Sequence, residues 1–256
     1  MLSHEWFASL RDRRVRDRDR LFLAEGLRFL HSAVDNGSEI VALALCPALF
    51  PSRSAERFVC SLEVPKRFFS VDRFCSLAVG LEPQGVLVAA RQRWQPLVSL
   101  EGDFHLVLDG VRTPGNLGTI LRTCEAIGVD SVWLVGGEVD VYDPGCVRAS
   151  MGAIFSQRLV RTSPKAIAGW KRRRARRFIG ASLAASVDYR EMDASGPVAV
   201  VMGSERKGMR PTVEALCDQT IRIPMPGPTD SLNLAVATSL TLYEVWRKRN
   251  PLKLAN

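Results

Sequence analysis

Apolar positions along the 256 residues fall into short runs, separated by stretches in which apolar residues recur at helical spacing. This alternation of a two-residue and a 3.6-residue period predicts an α/β protein. After an arginine-rich helix near the amino end, residues 21–30 lead into a further helix, and Ile40–Leu45 reads as a buried strand. Residues 70–77 read as a strand end with a capped helix, and 85–90 as another buried strand. A small α/β region thus closes near Arg93. Residues 94–103 contain proline and glycine and hold no period, so they read as a linker. Beyond them, β-branched runs at 105–108, 131–135, 178–181 and 197–202 alternate with segments of helix length. That pattern predicts a parallel sheet covered on both faces, with ligands beyond the carboxyl ends of its strands.

Hydrophobic residues make up 46% of the chain, and no uncharged apolar run reaches the about 18 residues of a membrane span. The amino end lacks a basic-then-apolar leader pattern, so a cytoplasmic protein with no membrane partner is expected. The six cysteines (Cys46, Cys60, Cys75, Cys124, Cys146 and Cys217) show no C-x-x-C pair and no histidine at metal-ligand spacing. They predict reduced, mostly buried thiols and no metal. A net charge of +8 favours an anionic partner. Residues 11–20 alternate sign and read as a helix pairing with itself. Lys171-Arg-Arg-Arg-Ala-Arg-Arg177 carries no acid and is the stronger candidate for phosphate contact.

Three stretches fit no ordinary nucleotide loop. In Leu108-Asp-Gly-Val-Arg-Thr-Pro-Gly-Asn-Leu-Gly-Thr-Ile-Leu-Arg122, Gly110 and Gly115 have P-loop spacing. Asn116-Leu117 stands where Lys-Ser/Thr must hold phosphate and magnesium, which argues against a nucleoside triphosphatase. Asn116 suits the N-cap of a helix over about 117–127. Arg122 alone reads as a surface or ion-pairing arginine; its planar donor fork, with a pKa above about 12, suits binding better than proton removal. In Val201-Met-Gly-Ser-Glu-Arg-Lys-Gly208, glycines at both ends of the loop permit a sharp turn and close backbone approach, and Glu205 in a plain loop would simply be solvated. In Ile221-Arg-Ile-Pro-Met-Pro-Gly-Pro-Thr-Asp-Ser-Leu-Asn-Leu-Ala-Val-Ala237, a strand at 221–223 meets prolines that force an irregular loop. A long helix then starts at Ser231 and runs to about Lys248, with Ser231 or Asp230 as its ordinary cap.

In this order the three stretches resemble the signature motifs of the SpoU (TrmH-type) family of SPOUT RNA 2'-O-ribose methyltransferases, over residues 104–249. The resemblance implies a SPOUT parallel-sheet domain with a deep trefoil knot through the third stretch, a homodimer, and S-adenosyl-L-methionine as methyl donor. It places Arg122 at the ribose or target phosphate and makes Glu205 an active-site carboxylate. Asn116, Ser231 and Asn233 would join them at the reacting centre, while Gly203, Ile223 and Leu232 would cradle the cofactor through their backbone. Residues 143–153 and 180–183 also resemble family scaffold. The chain departs from the family at Gly145, where many members have a basic residue that supplies an RNA contact, and at Ala235, where serine is frequent. The amino-terminal region resembles the substrate-binding domain many such enzymes carry, related to ribosomal proteins that bind bent RNA helices, at Glu25-Gly-Leu-Arg28 and Pro83-Gln-Gly-Val86.

The expected organisation is a 1–93 RNA substrate-binding domain, a 94–103 linker and a 104–256 methyltransferase domain. The expected activity is methylation of a ribose 2'-hydroxyl in structured RNA, with ribosomal RNA ahead of tRNA because the extra domain resembles one used on folded rRNA. The rivals are a tRNA ribose methyltransferase and a non-catalytic RNA-binding protein of the same fold. The joint presence of Asn116, Arg122, Glu205, Ser231 and Asn233 speaks against the latter.

Overall fold

The computed structural model describes residues 2–80, 82–136 and 139–251. The chain forms two compact units, Met1–Gln92 with Asp140–Ser156, and Arg93–Val139 with Gln157–Asn256.

The first unit holds strands β1 (Leu21–Glu25), β2 (Ile40–Leu45), β3 (Lys66–Phe68) and β4 (Val86–Arg91) in the order β1-β4-β2-β3, with only β2 and β3 parallel. The Asp140–Ser156 segment belongs here, although the sequence pattern runs the second region unbroken from 104. Its aromatic rings find their burial on this unit: Tyr142 and Phe155 lie 4.6 and 5.5 Å from Phe22 between ring centroids. A buried ion pair adds to this, Arg16 Nη2 donating to Asp140 Oδ2 at 2.5 Å. Arg13 and Asp17 do pair at i,i+4 as the alternating charges predict. Arg16 instead turns inward, and its other terminal nitrogen donates to the carbonyls of Leu10 and Arg11.

The second unit holds β5 (Phe104–Asp109), β6 (Ser131–Val135), β7 (Leu159–Thr162), β8 (Arg177–Ala181), β9 (Val187–Asp188), β10 (Val198–Met202) and β11 (Gln219–Arg222). Their order is β7-β6-β5-β10-β8-β11-β9 and every neighbouring pair is parallel. β5, β6 and β10 are buried throughout, as continuous apolar runs covered on both faces must be. Residues 94–103, read as a linker, pack onto this unit: Leu100 is buried in the core with Trp133 and Trp170, and the Gln95 N–H donates to the Leu159 carbonyl.

The Lys171–Arg177 run is largely structural rather than free for phosphate. Lys171 donates to Asp218 and the Leu216 carbonyl, Arg174 to the Leu100 carbonyl, Arg176 to Asp103 and Arg177 to Asp193. Arg174 and Arg176 also lie over the Trp170 ring. Arg172 and Arg173 remain exposed.

Because the strands are parallel, their carboxyl ends share one edge of the sheet. The register sets Met202 beside Leu108, Val201 beside Gly180 and Ile221 beside Ala181. The loops leaving β5, β10, β8 and β11 therefore emerge side by side, the arrangement in which α/β sheets bind ligands. Gly180 permits this closeness, since a Cβ there would stand 2.7 Å from Cys217 Sγ and 2.8 Å from Met209 Cε.

Candidate active site

β5 ends at Asp109, and Gly110, in the left-handed region at φ 69°, turns the chain toward the Pro114–Ile127 helix. That helix begins three residues before the expected 117, with Pro114 in the first turn, where a missing N–H costs nothing. Asn116 is not its cap. The Asn116 Nδ2 donates to Glu205 Oε1 at 3.1 Å, and its Oδ1 accepts from Asn233 Nδ2 at 3.0 Å. Glu205 also accepts from the backbone N–H groups of Arg112 and Thr113, at 3.3 and 3.2 Å. A carboxylate thus sits at the start of a helix, where the dipole favours negative charge. Burial alone would raise the Glu205 carboxyl, but the hydrogen bonds outweigh it and hold the group below its ordinary value.

Asn233 closes this chain of side chains from the third motif. It is the N-cap of the Leu234–Arg249 helix, its Oδ1 accepting from the N–H of Ala235 and Val236 at 2.8 and 3.4 Å. The helix thus starts later than expected, and Asn233 rather than Ser231 or Asp230 caps it because its carboxamide reaches two orphan N–H groups. Ser231 lies exposed in the preceding loop, where its carbonyl accepts from Thr229 Oγ1.

The Gly203–Gly208 loop closes on itself through paired backbone hydrogen bonds between Ser204 and Gly208, at 2.9 and 3.1 Å. A Cβ on Gly203 would stand 2.0 Å from the Gly208 carbonyl carbon. Only glycine lets the loop close this tightly.

Beside the loop lies a cleft of about 450 Å³, within the about 300–1,000 Å³ typical of small-molecule sites. Gly203, Glu205, Ile223, Ser231 and Leu232 all line it, so the structure gathers these expected residues at one place. Its apolar surface, from Ala181, Met202 and Ile221 among others, suits an adenine face. Glu205 and Glu214 bring carboxylates and Arg206 and Lys207 bring cations, the complement of a zwitterionic amino-acid tail and a sulfonium. The residues present therefore fit S-adenosylmethionine.

Arg122 is not part of the Glu205–Asn116–Asn233 chain. Six helical positions turn it about 240° from Asn116, and it is exposed, with no hydrogen bond or ion pair among the described residues. Sequence reasoning missed Arg210, which bonds the buried Asp109. The signal available was the acid itself, placed directly after an apolar strand.

A parallel sheet with a glycine-closed loop after β10 and a proline-rich loop after β11, on the same sheet edge with β8 between them, is the arrangement the resemblance to SpoU-type methyltransferases implies. Residues 103–243 match the SpoU rRNA methylase family and residues 6–87 the MRM3-like substrate binding domain. The chain belongs to the SpoU rRNA methylase family, and as a member is classed as an S-adenosylmethionine-dependent RNA methyltransferase. It is 31% identical, over 96% of its length and 89% of the relative's, to a 23S rRNA (uridine(2479)-2'-O)-methyltransferase of Streptomyces viridochromogenes. It is 42% identical to a protein of Staphylococcus saprophyticus named as a TrmH family tRNA/rRNA methyltransferase, over 57% of this chain and 59% of that one. The AdoMet-bound rRNA methyltransferase from Sinorhizobium meliloti superposes with a TM-score of 0.87 at 33% identity, covering 98% of this chain and 95% of that one. The SpoU methyltransferase AviRb from Streptomyces viridochromogenes, in complex with AdoMet, gives a TM-score of 0.89 at 28% identity, covering 98% and 99%.

Proposed function

We propose that the protein methylates a ribose 2'-hydroxyl of ribosomal RNA, the first unit holding the RNA and the second carrying the chemistry. The observation that carries this reading is the hydrogen-bonded chain Glu205–Asn116–Asn233, which joins all three motifs beside the cleft. The match of residues 6–87 to a substrate-binding domain supports the role of the first unit. Ribosomal RNA is preferred over tRNA because the relative aligned over nearly the whole chain is named for 23S rRNA.

S-adenosylmethionine, when bound, supplies an electrophilic methyl group on sulfur. The residues of the chain have to position: holding a nucleophile in near-attack geometry contributes up to about 7–11 kcal/mol. Gly203, Ile223 and Leu232, which line the cleft, would hold the cofactor through their backbone. Glu205, kept ionised by three donors, fixes Asn116 and the start of the Pro114–Ile127 helix. Arg122, with its fork free, takes the ribose or its phosphate and stabilises the oxygen as its proton passes to solvent water. Ser231 and Asn233 complete the polar rim.

The homodimer rests on the Leu234–Arg249 helix. Leu242 and Val245 are buried on their own unit, whereas Val236, Leu240, Tyr243 and Trp246, spaced three or four apart, are 40–49% exposed. Such a stripe is what a second copy would cover. A trefoil knot through residues 221–237 and a cytoplasmic location complete the proposal. No helix among the described residues is long and apolar enough to cross a membrane.

Incubating the protein with methyl-labelled S-adenosylmethionine and purified rRNA or tRNA, then digesting to nucleosides, tests the reading. Label in 2'-O-methyl nucleosides of rRNA is expected. Label only in tRNA overturns the substrate, and label in a base or nowhere overturns the reaction.

A further inference from the structure

The first unit contains an open cleft of about 430 Å³ that the chemistry of the second unit does not use. Leu23, Phe29, Leu87 and Val147 give it apolar walls. Arg28, on the Leu27–Asp35 helix, and Arg148, on the Pro144–Ala149 helix, stand at its edge. Both are exposed, and neither has a hydrogen bond or ion pair among the described residues. Of the acids lining it, Glu25 is turned to the wall, accepting from the backbone N–H groups of Val79 and Gly80 at 2.5 and 2.9 Å. Among the described residues neither acid is paired with an arginine: Glu25 is engaged by backbone N–H groups and Glu82 stands at the rim, so both guanidinium forks keep their donors for a ligand.

Met151 lines the same cleft in the left-handed region, at φ 53°, a conformation uncommon for a residue with a side chain. It is held there by its neighbour. The Gly152 carbonyl accepts from Ser32 Oγ at 2.9 Å, and a Cβ on Gly152 would stand 3.1 Å from Ser32 Cβ, so the turn is pinned to the Leu27–Asp35 helix. A backbone held in a costly conformation to present an exposed thioether is the kind of outlier from which function is inferred.

We propose that this cleft binds one unstacked nucleotide of the RNA substrate, Arg28 and Arg148 taking its phosphate, and Met151 with the apolar walls taking the face of its base. This rests on the reading that the first unit holds RNA. Guanidinium forks match phosphate oxygens, and a soft thioether on an apolar wall suits a base face. A paired duplex cannot offer a base to such a cleft, so the ligand is an unpaired segment. Arg148 and Met151 lie within the stretch matching the methylase family, not within residues 6–87. The substrate-binding match alone therefore lacks half of this site.

Fluorescence anisotropy on the full chain tests it, with a short unpaired RNA of mixed sequence and a fully paired RNA of equal length as probes, over a range of salt. The double variant Arg28→Ala, Arg148→Ala should bind the unpaired RNA at least about tenfold more weakly. Its log affinity should fall less steeply with log salt, the slope shrinking by about 0.7 for each phosphate no longer neutralised. Met151→Gly keeps the left-handed turn without strain; it should weaken binding several-fold and leave the salt slope unchanged. S-adenosylmethionine binding, read by calorimetry, should be unchanged in every variant. Unchanged affinity and slope in the double variant, or an equal loss for the paired probe, overturns the subsite. Micromolar competition by adenosine or uridine monophosphate also overturns it, marking a free-nucleotide site. A wild-type protein that binds S-adenosylmethionine but neither RNA overturns the RNA reading as well, whereas unaltered variants beside a wild type that methylates RNA overturn the subsite alone.

Discussion

Asp109 receives three hydrogen bonds from Arg210, one from the backbone N–H at 2.7 Å and two from the guanidinium at 2.8 and 2.5 Å. The carboxylate is fully buried, while 49% of the Arg210 side chain faces solvent. The pair ties the chain just past the Gly203–Gly208 loop to the end of β5, and Glu205 reaches back from the same loop to the next helix. The two ends are not equivalent. Losing Arg210 strands a buried charge, whereas losing Asp109 frees an arginine that water readily solvates. We expect Arg210→Ala to cost about 3 kcal/mol, the low end for a broken buried pair because the backbone N–H remains. Asp109→Asn should cost less. Urea unfolding of both variants checks the ordering, and a larger loss for Asp109→Asn would show that the stranded carboxylate does not set the cost.

Glu205 is surrounded by donors: two backbone N–H groups and the Asn116 carboxamide. Glu205→Gln therefore points an NH₂ at another donor, and the mismatch costs more than the lost charge alone. Single-turnover methyl transfer should fall at least about 100-fold, the scale of removing one preorganised electrostatic group, with RNA affinity retained. The wild-type carboxyl lies below its ordinary value. Its ionisation therefore stabilises the fold above about pH 4.5, and that contribution is lost as pH falls through the lower folded value. A pH–rate profile with a carboxyl-like step near neutrality that disappears in Glu205→Gln would contradict this and make Glu205 a tuned general base.

Asn233 has two separable duties, capping the last helix through Oδ1 and donating to Asn116 through Nδ2. Aspartate caps as well as asparagine but has no donor. Asn233→Asp should therefore keep its thermal midpoint and lose activity, whereas Asn233→Ala should lose activity and about 1 kcal/mol of stability. Equal activity of Asn233→Asp and wild type would remove Asn233 from the catalytic arrangement.

The long apolar strands and the three motifs were legible in the sequence because apolar runs and proline or glycine punctuation are local signals, whereas the short β3, β7 and β9 carry too few apolar residues to announce themselves. The helix starts were less so. Asn116 reads as one cap and Ser231 or Asp230 as the other, and only the folded chain shows that Asn233 caps the last helix while Asn116 bridges the second and third motifs. The Arg16–Asp140 pair joins residues 124 positions apart, so no local pattern announces that Asp140–Ser156 leaves the second unit for the first. The Lys171–Arg177 run read as free cations because its partners, Asp103, Asp193 and Asp218, are distant in sequence.

His105 stands apart from the site, fully buried against Trp133 and Trp170, with Nδ1 bonded to Ser131 Oγ at 2.9 Å. Burial, and then the charge of Arg176, push its pKa from 6.5 down to about 4. The unfolded chain therefore takes up this proton first. Its contribution to stability is fully present above about pH 6.5 and declines as pH falls to about 4, by about 3 kcal/mol in all. Denaturation midpoints across that window should drop in wild type and stay flatter in His105→Leu. An unchanged slope in the variant would assign the pH dependence to other groups.

Arg122 projects from the Pro114–Ile127 helix on a side other than Asn116, so removing it should leave the Glu205–Asn116–Asn233 chain undisturbed. Arg122→Ala should then lower single-turnover transfer by about 10²–10³, the scale of removing one donor aimed at a developing anion. Cofactor affinity should stay within a few-fold. Arg122→Lys restores the charge but not the planar fork, so it should recover little of the rate. The pattern separates an arginine that binds the ribose side from one that only tunes the surface, because a long-range charge effect would be rescued by lysine and would weaken with salt. Near wild-type transfer by Arg122→Ala, with Glu205→Gln equally active, would show that the methyl acceptor is held by other residues.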